Sequence, residues 1–194
     1  MMKKHRLLIS AIVLALVQIG FLSFIIAGRA AVLRDGQEVI LKVEPVDPRD
    51  LLRGDYVRLG YDISNIPVSM IGNVPSGAQW TEAGPVFVRV KKEGDGIWKM
   101  VSASLYERPP TPPGDSEIDI RGMVDDGRSL GKIDTLNVEY GIERFYLPEG
   151  EGLAIERDMR VRSFNIVAAV AEDGTAQIKA LMDGDTMLFR EPLY

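Results

Sequence analysis

The chain divides by its hydrophobic pattern into one long apolar run followed by a succession of short alternating ones. Leu7 to Gly28 contain no charged side chain, and the interruptions at Ser10, Gln18, Gly20 and Ser23 are mild. As a helix rising about 1.5 Å per residue, this segment reaches roughly 33 Å and crosses a hydrocarbon core of about 30 Å. From Gln37 onward, β-branched and aromatic runs are broken by Gly, Pro, Asp and Asn, and no stretch carries a convincing 3.6-residue period. Val39, Leu41 and Val43 alternate with Ile40, Lys42 and Glu44, while Val57, Leu59, Tyr61 and Ile63 alternate with Tyr56, Arg58, Gly60 and Asp62. A period of two sends each set to one face of a sheet.

Turn chemistry then marks two hairpins. Val86 to Lys92 and Ile97 to Ser102 flank Glu93-Gly94-Asp95-Gly96, and Asn165 to Ala171 and Ala176 to Leu181 flank Glu172-Asp173-Gly174-Thr175. Asp-Gly supplies the positive φ that tight hairpins need. Arg108 to Asp115 hold four prolines, cannot pair as a central strand, and read as a stiff surface connection. The expected fold is therefore an all-β domain behind one N-terminal transmembrane helix.

Moved against itself by 79 residues, the chain aligns Gln37–Lys42 with Ser116–Arg121 and Val57–Ile63 with Leu136–Ile142, and the two hairpins then agree to within one residue. The alignment predicts a first β unit over 35–107, a Pro-rich connection over 108–114 and a second, similar unit over 115–194, packed about a pseudo-two-fold axis. Alternating strands also match one another by chance, and strand order distinguishes the two readings.

Charge sets the orientation. Lys3, Lys4, His5 and Arg6 precede the span and every acidic residue lies at Asp35 or later, so residues 1–6 are expected in the cytoplasm, 7–28 in the membrane, and the main domain in the periplasm or outside the cell. A cleaved signal peptide orders its zones the same way. Its apolar zone is shorter, about 7 to 15 residues, and Arg29 makes Gly28-Arg29-Ala30 a poor cleavage site. Beyond Arg6 the balance is 20 basic against 28 acidic residues, which argues against nucleic acid and against adsorption on anionic lipid. With no cysteine, disulfides and thiolate chemistry are excluded, and with His5 as the lone histidine so is a Ser-His-Asp triad in the exported part. No cofactor and no metal is expected: Asp125-Asp126-Gly127 and Asp183-Gly184-Asp185 read as turns and lack a calcium loop. Glycine-rich stretches near residues 94 and 150 lack the lysine of a phosphate loop, and Arg53-Gly54-Asp55 enters a strand instead of tipping a loop.

The densest polar punctuation runs from Val46 to Tyr56, where Asp47-Pro48 favours a turn and Gly54-Asp55 admits the next strand. Gly54-Asp55-Tyr56-Val57-Arg58-Leu59-Gly60-Tyr61 fits GDYxxLxY at every fixed position, and the chain here resembles the bacterial family of membrane-anchored proteins named after that pattern, whose function is uncharacterised. Tyr140 to Gly152 resembles the family's second characteristic stretch. The resemblance implies a single-pass envelope protein and leaves room for multi-pass membrane proteins as partners.

Two chemistries compete for the polar residues. Asp55, Glu143, Glu149 and Glu151 stand beside Tyr56, Tyr61, Tyr140 and Tyr146 in the sequence motifs, and paired carboxylates with aromatic walls are what glycoside hydrolysis needs, with Asp55 and Glu143 as acid and base. The structural alternative has Asp55 accepting backbone N–H bonds at a strand entry and Glu143 paired with Arg53 or Arg58. A comparison with membrane-anchored signal peptidases fails because no serine lies between Ser23 and Ser64. The reading favours an exported binding or interaction module over an enzyme, with a candidate surface of Asp55, Tyr56, Arg58, Glu143, Arg144 and Tyr146.

Overall fold

A computed structural model of the protein describes residues 2–45, 56–74, 82–124, 134–147, 152–159 and 162–192. The apolar run forms one uninterrupted helix, α1 (Met2–Asp35), which continues past Gly28 for another two turns. From Leu8 its apolar side chains stand exposed all round, among them Phe24 at 78 %. Only near its C-terminal end does α1 touch the rest of the protein: Leu33 is buried and the helix packs on the strands β9 (Phe164–Val170) and β10 (Ala176–Asp183). A helix apolar on every side and covered by nothing is built for an apolar solvent, and this one is long enough for a membrane span or a signal sequence.

The junction that follows is tight. Gly36 donates to Val32 O at 2.9 Å. A Cβ there would stand 2.5 Å from that same oxygen and 3.1 Å from the Val170 backbone nitrogen, so no other residue fits without moving the helix off the sheet.

The remainder is β-rich. Strands β1 (Gln37–Pro45), β2 (Tyr56–Tyr61) and β8 (Arg144–Tyr146) join β9, β10 and β11 (Thr186–Arg190) in a curled six-stranded sheet of order β11-β10-β9-β1-β2-β8, antiparallel throughout. A second sheet has the order β5-β4-β6, from β4 (Gly84–Lys92), β5 (Trp98–Leu105) and β6 (Glu117–Val124), and β3 (Asn65–Pro67) pairs with β7 (Thr135–Asn137). The alternation expected in β1 and β2 holds, because Val39, Leu41, Val43, Val57, Leu59, Tyr61 and Ile63 are all buried. Both hairpins form as β4–β5 and β9–β10, with Gly96 and Gly174 at the same φ of 86°.

The all-β expectation needs one amendment. Gly152–Met159 forms a short helix, α2. Its buried Ile155 and Met159 are four residues apart, and a helix of eight residues is too short to set a readable period.

Pairings recur at a constant spacing. Glu44–Gly60 has a counterpart in the bridge Met123–Glu139, and Val57–Phe145 in Leu136–Ile66, each residue displaced by 79 (123 − 44; 136 − 57). Val39–Ala168 corresponds to Ile118–Val90, displaced by 79 in one strand and 78 in the other (118 − 39; 168 − 90). Even the irregularities match: β5 leaves Val101 unpaired against β4, and β10 leaves Lys179 unpaired against β9, again 78 apart. The pairings run across the chain. β1 lies beside β9, and β6 lies beside β4, so one buried cluster gathers Leu41, Leu59 and Val88 with Ile120, Leu136 and Ile166.

The proline segment crosses the outer face of β4. There Arg89 forms a two-pronged bond with Asp119 of β6, Nε to Oδ1 at 2.7 Å and Nη2 to Oδ2 at 2.9 Å, and the same Nη2 also donates to Thr111 O at 2.7 Å. Arg108 stacks over Phe87 and donates to the Glu172 carbonyl. The Arg89 and Asp119 side chains are only 9 % and 6 % exposed, so each depends on the other for compensation. Asp119→Asn is expected to cost about 3 kcal/mol in urea unfolding of the full chain in micelles, and the double change Arg89→Met with Asp119→Leu much less. Equal losses for the two variants would mean that the pair is not electrostatically coupled.

Candidate functional site

The β2–β8 ladder carries most of the residues singled out by sequence. Tyr56 faces Tyr146 and Arg58 faces Arg144, all on one side of the ladder, while Val57 and Phe145 turn into the core between them. The two tyrosine rings are 5.8 Å apart and tilted by 54°, and the Arg144 guanidinium lies 5.8 Å from the centre of the Tyr56 ring. Tyr146 is 66 % exposed. This side of the ladder thus combines an aromatic pair with two guanidinium groups. Asp55, with Gly54, Arg53, Glu149 and Glu151, lies outside the described residues, as do Asp125-Asp126-Gly127.

Glu143 does not join this face. Its carboxylate accepts a hydrogen bond from the Tyr140 backbone N–H, and no ion pair with Arg58 forms. The corresponding bond 79 residues earlier is Tyr61 N–H to Ser64 Oγ at 3.3 Å. Asp183-Gly184-Asp185 is a turn between β10 and β11, as expected, with Gly184 at positive φ and Asp183 paired with Arg162.

The two tyrosines spaced by 79 are buried clamps. Tyr61 donates its hydroxyl to Ile142 O, and Tyr140 donates to Ile63 O at 2.6 Å. Beside them, Leu59 N–H bonds Glu143 O and Val138 N–H bonds Ser64 O, both at 2.8 Å. Each turn is thus fastened by the strand of the other. Burial, helped by the Glu143 charge, pushes both phenols well above 10.0, which keeps them protonated as donors. Among the described fixed positions of the GDYxxLxY stretch, Leu59 and Tyr61 are therefore structural, and Tyr56 faces outward beside Arg58.

Sequence reasoning overlooked Ser64 and Asp62. Asp62 Oδ1 is buried without a hydrogen-bond partner among the described residues. Its burial and the nearby Glu44 raise its pKa above 3.8, opposed by the Ile63 backbone N–H, Lys42 and Lys99. Among the described residues no three His, Asp or Glu side chains gather as metal ligands.

Tyr140→Phe leaves the Ile63 carbonyl unbonded and is expected to cost about 1–3 kcal/mol, seen as an earlier urea midpoint. Asp62 binds its proton more tightly folded than unfolded, so its penalty is absent below pH 3.8 and grows as pH rises through the folded pKa. Asp62→Asn should accordingly raise the melting temperature at pH 7 and leave it unchanged below about pH 3.5. A gain at both pH values would assign the effect to something other than ionisation.

Comparison with known proteins adds one match. Neither a curated protein nor a solved structure matches the chain. The family model described as GDYXXLXY protein matches residues 18–181, from within α1 to β10, and covers well over half of the 194 residues. The chain belongs to the GDYXXLXY protein family.

Proposed function

We propose that the protein is a membrane-anchored binding module, with α1 spanning the cytoplasmic membrane, its basic tail in the cytoplasm, and the β-rich part displayed on the far side. The observation that carries this reading is the outward face of the β2–β8 ladder, where Tyr56, Arg58, Arg144 and Tyr146 stand together on paired strands while Val57, Leu59 and Tyr61 of the motif are occupied in the core. Aromatic and arginine side chains so placed offer contact area and charge with little entropy to lose. Engagement of Glu143 by a backbone amide supports a module over a hydrolase, which would need that carboxylate free in a cleft.

The β-rich part is, in the same reading, two copies of one unit, 35–107 and 115–194, joined by 108–114. Recurrence of three pairings, one bulge and one tyrosine clamp at a spacing of 78 or 79 supports it. The units are interlocked and not side by side, since each hairpin pairs with the other unit's leading strand.

Alkaline phosphatase fused after Tyr194 should be active in intact cells, and an inactive fusion contradicts the orientation. A photoreactive residue at position 146 of the full chain in native membranes should yield a discrete adduct that weakens about tenfold with Arg144→Ala. An adduct unaffected by that change would remove the ladder face from the reading.

A further inference from the structure

Two arginines from separate elements line one cleft at the foot of the β domain. The cleft, about 290 Å³, is bounded by Arg29 of α1, Arg144 and Tyr146 of β8, Gln177 of β10, and Glu191. Among the described residues neither Arg29 nor Arg144 has a salt-bridge partner. Two unpaired guanidinia set against a single carboxylate leave the cleft positive, and their planar forks suit the paired oxygens of a phosphate.

Position decides which phosphate this is. Arg29 is the first charged residue after the apolar run, so with α1 spanning it stands where hydrocarbon gives way to headgroups. A neighbouring cavity of about 940 Å³ is lined by Phe24, Ile25 and Gly28 of that run together with Val170 and Gln177, so the β domain reaches down to the last turns of the span. The tight Gly36 junction holds it there. That larger cavity shares Arg29 with the cleft and adds Arg108, but Asp35, Glu117, Asp119, Glu172 and Asp173 leave it net negative, which disfavours an anion there. The smaller cleft has Tyr146 at its rim, and tyrosine is the residue type that settles at headgroup depth.

We propose that Arg29 and Arg144 together hold the phosphate of a membrane phospholipid, with Gln177 as a neutral donor and the Tyr146 ring against the glycerol. This names the ligand of the binding face and rests on the spanning reading of α1. The site is local: charges beyond a Debye length of about 8 Å are largely screened from a headgroup phosphate, so the summed charge of the domain does not decide its binding.

The test uses the full chain in micelles mixed with phosphatidylglycerol and a diacylglycerol of the same acyl chains, read by native mass spectrometry. The wild-type protein should retain the phospholipid over the diacylglycerol by about tenfold or more, and Arg29→Gln or Arg144→Gln should each lower that preference about tenfold, while Arg190→Gln leaves it unchanged. An unchanged preference in the first two variants, or an equal fall with Arg190→Gln, overturns the site. Carbonate washing of membranes from the same cells separates the two readings: a chain washed off or shortened at its N-terminus sinks the anchor and the lipid site together. A chain that resists washing yet shows no phosphate preference sinks the lipid site alone.

Discussion

Backbone pairing across the length of the chain is the constraint from which the rest of the structure follows. β1 finds its neighbour in β9, more than 120 residues later, and β6 finds its neighbour in β4, so neither hairpin completes a sheet with the strand that opens its own part of the chain. The crossed arrangement puts Leu41, Ile166, Val88 and Ile120 into a single core. It also seats the end of α1 on β9 and β10, because the chain turns at Gly36 straight into β1. The tyrosine clamps complete the lock at the centre, each hydroxyl closing on the carbonyl of the opposite turn. Long-range pairing of this kind carries a large loop-closure cost, which only many mutually supporting contacts repay.

Local features were legible in the sequence because local physics sets them. The uncharged run, the period-two burial of Val39 through Val43 and Val57 through Ile63, and the two glycine turns each arise within a few residues, and each stands in the structure as expected. The partner of a strand is another matter. Nothing in the alternation of β1 says that Ala168 will face Val39, and three-residue strands such as β3, β7 and β8 have no pattern of their own. The 79-residue offset was the one long-range signal, since a spacing repeated in sequence reappears as a spacing repeated in register.

The candidate surface was half legible for the same reason. Tyr56, Arg58, Arg144 and Tyr146 come together because each pair is two apart on a strand and the strands lie side by side. Glu143, one residue outside β8, turns back to a backbone amide, as Ser64 does in its place. Summed charge was a weaker guide still. A balance of 20 basic against 28 acidic residues describes the chain beyond Arg6 as a whole and hides the approach of Arg29 and Arg144 to one cleft, which depends on elements far apart in sequence.

Interlocking makes a thermodynamic claim, because parts that complete each other cannot open separately. Native-state hydrogen exchange of the full chain in micelles, followed through a denaturant series, measures this directly. The account predicts that the amides of Leu41 and Ile166 in one sheet and of Val88 and Ile120 in the other converge on one opening free energy with one denaturant slope. Two isotherms, one for 35–107 and one for 115–194, would contradict it.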